Sequence, residues 1–227
     1  MERLIINVKV LIPVKTNSKR VENKNFREFY KGDSLLDILL KKIVKFFKTE
    51  DIYISCDDPL KKDVADKYCV NFLLREKKLT YNETPMSDVI PSIIKQIPDN
   101  DEVAWILVTD PIFNEHERVL QTWNMIDHSI YDSLAVVYPI KHYLLDSNYQ
   151  PIDFGFGENH IPSQELKPKY QLNHTMFICN REVYFENKYY IGNTPYWYHA
   201  NSYPSDIDTE TDFRIVQAIY ERIYSNE

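Results

Sequence analysis

Residues 103–109 read VAWILVT, and residues 132–140 read DSLAVVYPI. Runs that stay apolar at nearly every position, without alternating, are the mark of strands covered on both faces, as in parallel sheets. Between them, a segment near Glu115 to Asp127 has helical spacing, so the pair reads as strand, helix, strand. Upstream the same rhythm repeats. NFLLR (71–75), DIYISC (51–56) and a first strand near Leu4 to Ile12 are separated by helical segments. In DSLLDILLKKIVKFFK, residues Leu35, Leu36, Leu39, Ile43, Phe46 and Phe47 share one face, with Asp33 or Ser34 as N-cap. Pro59 opens a helix expected to run through Tyr68, and another is expected over Pro85 to Ile97. TDFRIVQAIYERIY closes the chain as an amphipathic helix with Phe213, Val216, Ile219, Tyr220 and Ile223 inward. This alternation predicts an α/β protein with a doubly wound, mostly parallel sheet. Ligands of such sheets sit beyond the carboxyl ends of the strands. The loop after the first strand, Asp57-Asp58, Arg75 and Thr109-Asp110 all fall at such ends and are expected to converge.

The rhythm breaks from Lys141 to Gln171, which holds Pro151, Pro162, Pro168 and two of the four glycines. So long a stretch without clear elements inside one domain is commonly functional or intersubunit. The chain of 227 residues is long enough for one domain with such an excursion. Its formal charge of −7 argues against general nucleic-acid binding. No apolar run reaches the length of a membrane helix and no signal-peptide pattern is present, so a cytoplasmic protein is expected. Cys56, Cys69 and Cys179 lack metal-site spacing, and Cys56 and Cys69 read as buried thiols.

Two stretches carry candidate chemistry. The first is IPVKTNSKRVENKN (12–25), where a strand empties into a loop with Lys15, Lys19, Arg20 and Lys24. Cations and backbone amides in that place suit a nucleotide triphosphate. The loop has no glycine, and standing alone it reads more readily as a solvated surface loop than as a phosphate site. The second is YPSDIDTETDF (203–213). In extended backbone Asp206 and Asp208 project to one side, an arrangement suited to a hard cation such as Mg²⁺. Capping of the last helix by Asp208 or Thr209 accounts for part of this motif and leaves Asp206 unexplained. His116 and His174 lack partners at metal spacing and read as structural or surface residues. Tyr189, Tyr190, Tyr196, Trp197 and Tyr198 read as packing.

In order, these pieces resemble the acylneuraminate cytidylyltransferase family, over nearly the whole chain. Lys15, Ser18, Lys19, Lys24 and Asn25 match the family's opening loop, and DIYISCDD its strand ending in Ser-Thr-Asp. Arg75, Glu83, Thr84 and Ser87 match its Arg-Pro…Asp-Thr…Ser segment, and SDIDTETDF matches its Asp-Ile-Asp-Thr motif. The resemblance implies a Rossmann-like fold of the nucleotide-diphospho-sugar transferase kind and a homodimer locked by the 141–171 excursion. It implies transfer of CMP from CTP to an acidic sugar with release of pyrophosphate. Lys15, Asn17, Ser18, Lys19 and Lys24 would then lie along the nucleotide, with Lys19 and Lys24 on the triphosphate. Asn25, Arg75 and Ser87 would recognise cytidine, Asp206 and Asp208 would hold Mg²⁺, and Gln171 and Asn173 would face the acceptor.

The departures are local. The family's loop Arg is Lys15 here and its Gly is Arg20. A Gln and an Arg are lost in LVTDPIF (107–113), and QLNH (171–174) lacks the Arg expected on the acceptor carboxylate. Lys neutralises phosphate without the bidentate grip of Arg. These changes predict an acceptor other than ordinary sialic acid. They leave open a non-catalytic relative that binds nucleotide or a partner protein; Asn25, Arg75 and Ser87 together disfavour a base other than cytosine.

Overall fold

The computed structural model describes residues 8–98 and 102–225; Leu4–Asn7 of the expected first strand lie outside them. In chain order the strands are β1 (Lys9–Pro13), β2 (Glu28–Tyr30), β3 (Asp33–Ser34), β4 (Ile52–Cys56), β5 (Asn71–Leu74) and β6 (Glu102–Ile106). They continue with β7 (Ser133–Ile140), β8 (Leu144–Leu145), β9 (Pro151–Ile152), β10 (Lys169–Asn180) and β11 (Pro195–His199). The helices are α1 (Leu35–Ile43), α2 (Lys62–Tyr68), α3 (Met86–Ile94), α4 (His116–Met125), α5 (Arg181–Glu186) and α6 (Glu210–Tyr224). Seven strands form one sheet in the order β11-β7-β10-β6-β1-β4-β5. Only β10 runs against the rest, pairing antiparallel with both β6 and β7. The mostly parallel, doubly wound sheet expected from the apolar runs is the one that forms.

Pairing sets which side chains share a face. Ile12, Ile54, Ala104, Ile106, Leu134, Val136, Met176 and Ile178 face α1, α4 and α6 in the larger core. Leu11, Tyr53, Val103, Trp105, Ala135, Phe177 and Cys179 look the other way, onto α3 and α5. α6 buries Phe213, Val216 and Tyr220, but Ile223, expected inward, is half exposed in the helix's last turn, where it lines a cleft beside α4.

Helix α1 begins with a capping box in which Ser34 and Asp37 bond each other's backbone N–H groups. Asp37 also accepts from Lys67 Nζ at 2.6 Å and Tyr68 Oη at 2.9 Å, fastening α2 to α1. Burial raises the Asp37 pKa, but the bonds from Lys67, Ser34 and Tyr68 outweigh it and hold it at about 2. A carboxylate depressed in the folded state stabilises above its unfolded pKa and loses that contribution as pH falls through the folded value. Asp37→Ala is therefore expected to cost about 1–2 kcal/mol at pH 7. Chemical denaturation should show the difference shrinking between about pH 4 and pH 2.

Three other expectations are corrected. Cys69 is exposed: it ends α2 in the left-handed region (φ 56°), its N–H reaching Ala65 O and Asp66 O while its side chain turns to solvent. The excursion carries a small β8–β9 hairpin and two short 3₁₀ turns, and its last residues, 169–171, belong to β10. The expected strand at VAWILVT ends at Ile106: the Leu107 N–H still bonds Thr175 O of β10, and the residues after it leave the ladder.

Candidate active site

At the carboxyl ends of β1, β5 and β6 the strands open into a cavity of about 550 Å³. β1 delivers the loop 14–25. That loop is tied down by Asp57, which follows β4 and accepts from Thr16 N at 3.0 Å and Thr16 Oγ1 at 3.1 Å. Asn25, buried, donates to Lys15 O at 3.0 Å and accepts from Leu36 N, so the loop's two ends are pinned to each other and to α1. Lys15 Nζ reaches Thr80 O at 3.3 Å and Asn82 Oδ1 at 3.1 Å. Burial and the nearby Arg75 cation lower its pKa. Arg75, itself buried, donates through Nη2 to Val14 O.

Lys15, Lys19, Arg20, Lys24 and Arg75 all line this cavity, and among the described residues no carboxylate does. In a chain of net charge −7, five cations around one cavity mark a place for an anion. Deeper in, the wall turns aromatic with Trp105, His174 and Tyr190. Tyr190 Oη and His174 Nδ1 lie 2.8 Å apart, and the Tyr190 ring packs against Phe177 and Trp105. Two buried donors there, Arg75 Nε and Trp105 Nε1, have no hydrogen-bond partner, and neither has Asn17 Oδ1 in the loop. Buried polar groups are rarely left unpaired in native proteins, and each costs about 1–3 kcal/mol. A larger cleft of about 670 Å³ between α4 and α6 contains Glu115 and Glu117 against a single Arg118, and is no match for an anion.

Asp206 and Asp208 stand beside this cavity. Their segment is held by Ile207, whose N–H donates to Thr109 O at 2.9 Å and whose carbonyl accepts from Lys24 Nζ. Burial, together with the neighbouring Asp208, raises the Asp206 pKa, against a hydrogen bond from Thr109. Asp208 pairs with Arg20 at 2.8 Å. Two oxygen-donor carboxylates two residues apart fit a hard cation that takes its other positions from phosphate and water. No cluster of three or more His, Cys, Asp or Glu suited to a metal occurs among the described residues.

The expected site residues therefore fall into three groups. Lys15, Ser18, Lys19, Lys24, Asn25 and Arg75 line the cavity, while Asn17 adjoins it through Nδ2, 3.5 Å from Thr80 Oγ1. Ser87 lies exposed on the first turn of α3, flanked by Met86 and Val89, which do line it. Gln171 and Asn173 are turned away. Gln171 is exposed opposite Tyr138, and the Asn173 amide is spent on Asp110 Oδ2 at 2.7 Å. Of the strand-end residues, Thr109 reaches the cavity but Asp110 does not. Asp58 is occupied capping the turn at Leu60. His174, Trp105 and Tyr190 were not expected in the wall. His116, by contrast, is a core residue whose pKa burial and Lys42 push down to about 3.

A mostly parallel sheet with one reversed strand and a cationic cavity at its carboxyl edge defines the nucleotide-diphospho-sugar transferase fold. Solved structures agree. CMP:2-keto-3-deoxy-manno-octonic acid synthetase complexed with CTP is similar with a TM-score of 0.68, 11% identity, and coverage of 95% of this chain and 99% of that one. The 4-diphosphocytidyl-2C-methyl-D-erythritol synthase of Anaerococcus prevotii gives 0.64 at 12% identity, covering 95% and 97%. The chain belongs to the cytidylyltransferase family, whose model matches residues 9–151. It is 23% identical over 210 residues to the N-acylneuraminate cytidylyltransferase of Streptococcus agalactiae serotype V, covering 89% of this chain. It spans about half the length of that relative, 51%. Among the described residues no helix is long and apolar enough to cross a membrane.

Proposed function

We propose that the chain transfers CMP from CTP to an acidic sugar, releasing pyrophosphate. The observation that carries this is the wall of five cations leading to an aromatic floor of Trp105, His174 and Tyr190. Lys15, Lys19 and Lys24 neutralise the triphosphate. Arg75 and Asn25 hold the cytidine, with Ser87 at the rim. Nucleotidyl transfer is mostly positioning and charge neutralisation, which a preformed cavity supplies without reorganising at the moment of reaction. Asp206 and Asp208 would hold Mg²⁺, which when bound would add charge neutralisation at the phosphates. On the same reading, residues 141–171 lock a cytoplasmic homodimer.

CTP with Mg²⁺ is expected to raise Tm well above UTP or ATP, since ligand at about 100 times Kd contributes roughly 2.7 kcal/mol. A folded protein with no CTP shift sinks the proposal. Asp208→Asn is expected to abolish metal-dependent pyrophosphate release while leaving Tm within a few degrees; unchanged turnover would refute the metal assignment. The Arg20–Asp208 ion pair supports a second reading, a nucleotide binder without turnover, because it already engages one of the two carboxylates. CTP binding with no pyrophosphate from any sugar acid would favour it.

A further inference from the structure

The nucleotide cavity runs across the carboxyl edge of the sheet, and its two ends differ. Arg75, Leu79, Thr80 and Val89 line the end beside β5 and α3, the loop 14–25 lies over β1, and His174 closes the far end on β10. In the sheet order β10 is two strands from β1 and four from β5. At the usual strand spacing those separations are about 10 Å and about 19 Å. His174 reaches the cavity through an irregularity. In a regular strand Thr175 and Phe177 would share a face, and His174 would look the other way. Instead Thr175 turns with Asn173 to Asp110, which is bonded to Tyr138 of the larger core, while Phe177 packs in the other core against Tyr190. The register of β10 on β7 shifts within this stretch, between Leu172 and Phe177. Such breaks in a ladder re-aim side chains, and here His174 comes round to the rings of Phe177 and Tyr190, each 5.9 Å away.

The imidazole is held through one nitrogen and leaves the other for a ligand. Tyr190 Oη accepts from Tyr189 Oη at 3.0 Å, so its own proton goes to His174 Nδ1, 2.8 Å away. That assignment puts the ring's N–H at Nε2, which has no hydrogen-bond partner among the described residues. Burial raises the Asp206 pKa, while the hydrogen bond from Thr109 and the charges of Lys24 and His174 oppose it; the imidazole thus stands on the Asp206 side of the cavity. Resting on the transfer reading above, we infer that His174 is the acceptor's contact, its Nε2–H donating to the carboxylate of the sugar acid. A cytidine held by Arg75 and Asn25 occupies the β5 end, and a triphosphate along Lys15, Lys19 and Lys24 occupies the middle. The sugar that attacks the α-phosphorus is left the β10 end, where His174 is the fixed donor. Prepositioning lowers the ordering cost of that bond, but one imidazole N–H supplies a single donor where a guanidinium would supply two. Recognition of the acid group is thereby carried by one hydrogen bond.

A CTP analogue with a methylene bridge between its α and β phosphorus atoms fills the nucleotide site without releasing pyrophosphate. With the analogue and Mg²⁺ present, 2-keto sugar acids and hexuronates are titrated in, each beside its methyl ester, and Kd is read by calorimetry. At least one acid is expected to bind more tightly than its ester. For that acid His174→Ala should raise Kd about tenfold, the lower end for a hydrogen bond to a charged group, and abolish the preference over the ester. His174→Gln, which keeps an amide N–H near the Nε2 position, should restore most of both. Kd for the analogue should be unchanged in both variants, which also shows that they fold. Absence of binding by every acid, or equal binding of acid and ester, overturns the assignment and leaves the nucleotide reading standing. A weaker grip on the analogue in His174→Ala assigns the imidazole to the nucleotide and also overturns it. Absence of analogue binding by the wild-type protein counts against the transfer reading itself.

Discussion

Asp110→Ala is expected to destabilise the protein by about 3–5 kcal/mol, enough to leave a marginal domain largely unfolded at 37 °C. Asp110 is 5% exposed and accepts five hydrogen bonds. To Oδ2 come Tyr138 Oη at 2.9 Å, Asn173 Nδ2 at 2.7 Å and Thr175 Oγ1 at 3.1 Å. To Oδ1 come Phe113 N at 3.3 Å and the Ser205 hydroxyl. One carboxylate thus ties β7, β10, the loop after β6 and the segment leading to Asp206. Truncation leaves these donors buried and unpaired, a larger penalty than the net worth of the bonds themselves. Asp110→Asn is expected to be milder but still costly, because its amide nitrogen would face donors. Urea denaturation checks both: a loss below about 1 kcal/mol for Asp110→Ala would show that water replaces the carboxylate.

That residue also shows where reading the sequence stops. Thr109-Asp110 at a strand end resembles a ligand position in composition, and only the third dimension separates them: Thr109 opens to the cavity while Asp110 turns beneath the sheet. The cationic loop was legible because its charges stand out in an acidic chain, and Arg75 because it follows a clear strand. β10 was harder. Its first half, KYQLNH, is polar and aromatic without alternation, so neither its extent nor its register could be drawn from pattern. Gln171 and Asn173 were expected toward the acceptor, but of the residues 171–174 only His174 lines the cavity. The register of β10 on β7 shifts between Leu172 and Phe177, so the period-two alternation of a regular strand does not say which of these residues faces the cavity. His174 carried no spacing signal. What marks it is its contact with Tyr190, across 16 residues of chain.

The largest kinetic effect is expected from Lys24→Met, a fall in kcat/KM of about 10²–10³ for pyrophosphate release, the usual loss when one preorganised charge donor is removed. Lys24 lines the cavity beside Lys19 and Arg20, and its ammonium donates to the Ile207 carbonyl between Asp206 and Asp208. On the proposed reading it would serve both halves of the centre, as a cation toward the triphosphate and as the tether that sets the carboxylates beside it. Methionine keeps most of the stem's volume and packing, so the fold should survive with little change in Tm. Lys24→Arg retains charge but brings a planar fork into a space shaped for a compact ammonium, and should recover only part of the rate. The pH profile carries a second signature. Burial lowers the Lys24 pKa, against attraction from Asp206 and Asp208, so the basic limb of kcat/KM should fall below the ordinary lysine range. In Lys24→Met that limb should vanish along with most of the rate. A variant that kept both the wild-type rate and its alkaline limb would remove Lys24 from the catalytic centre and leave the phosphate to Lys15, Lys19 and Arg20.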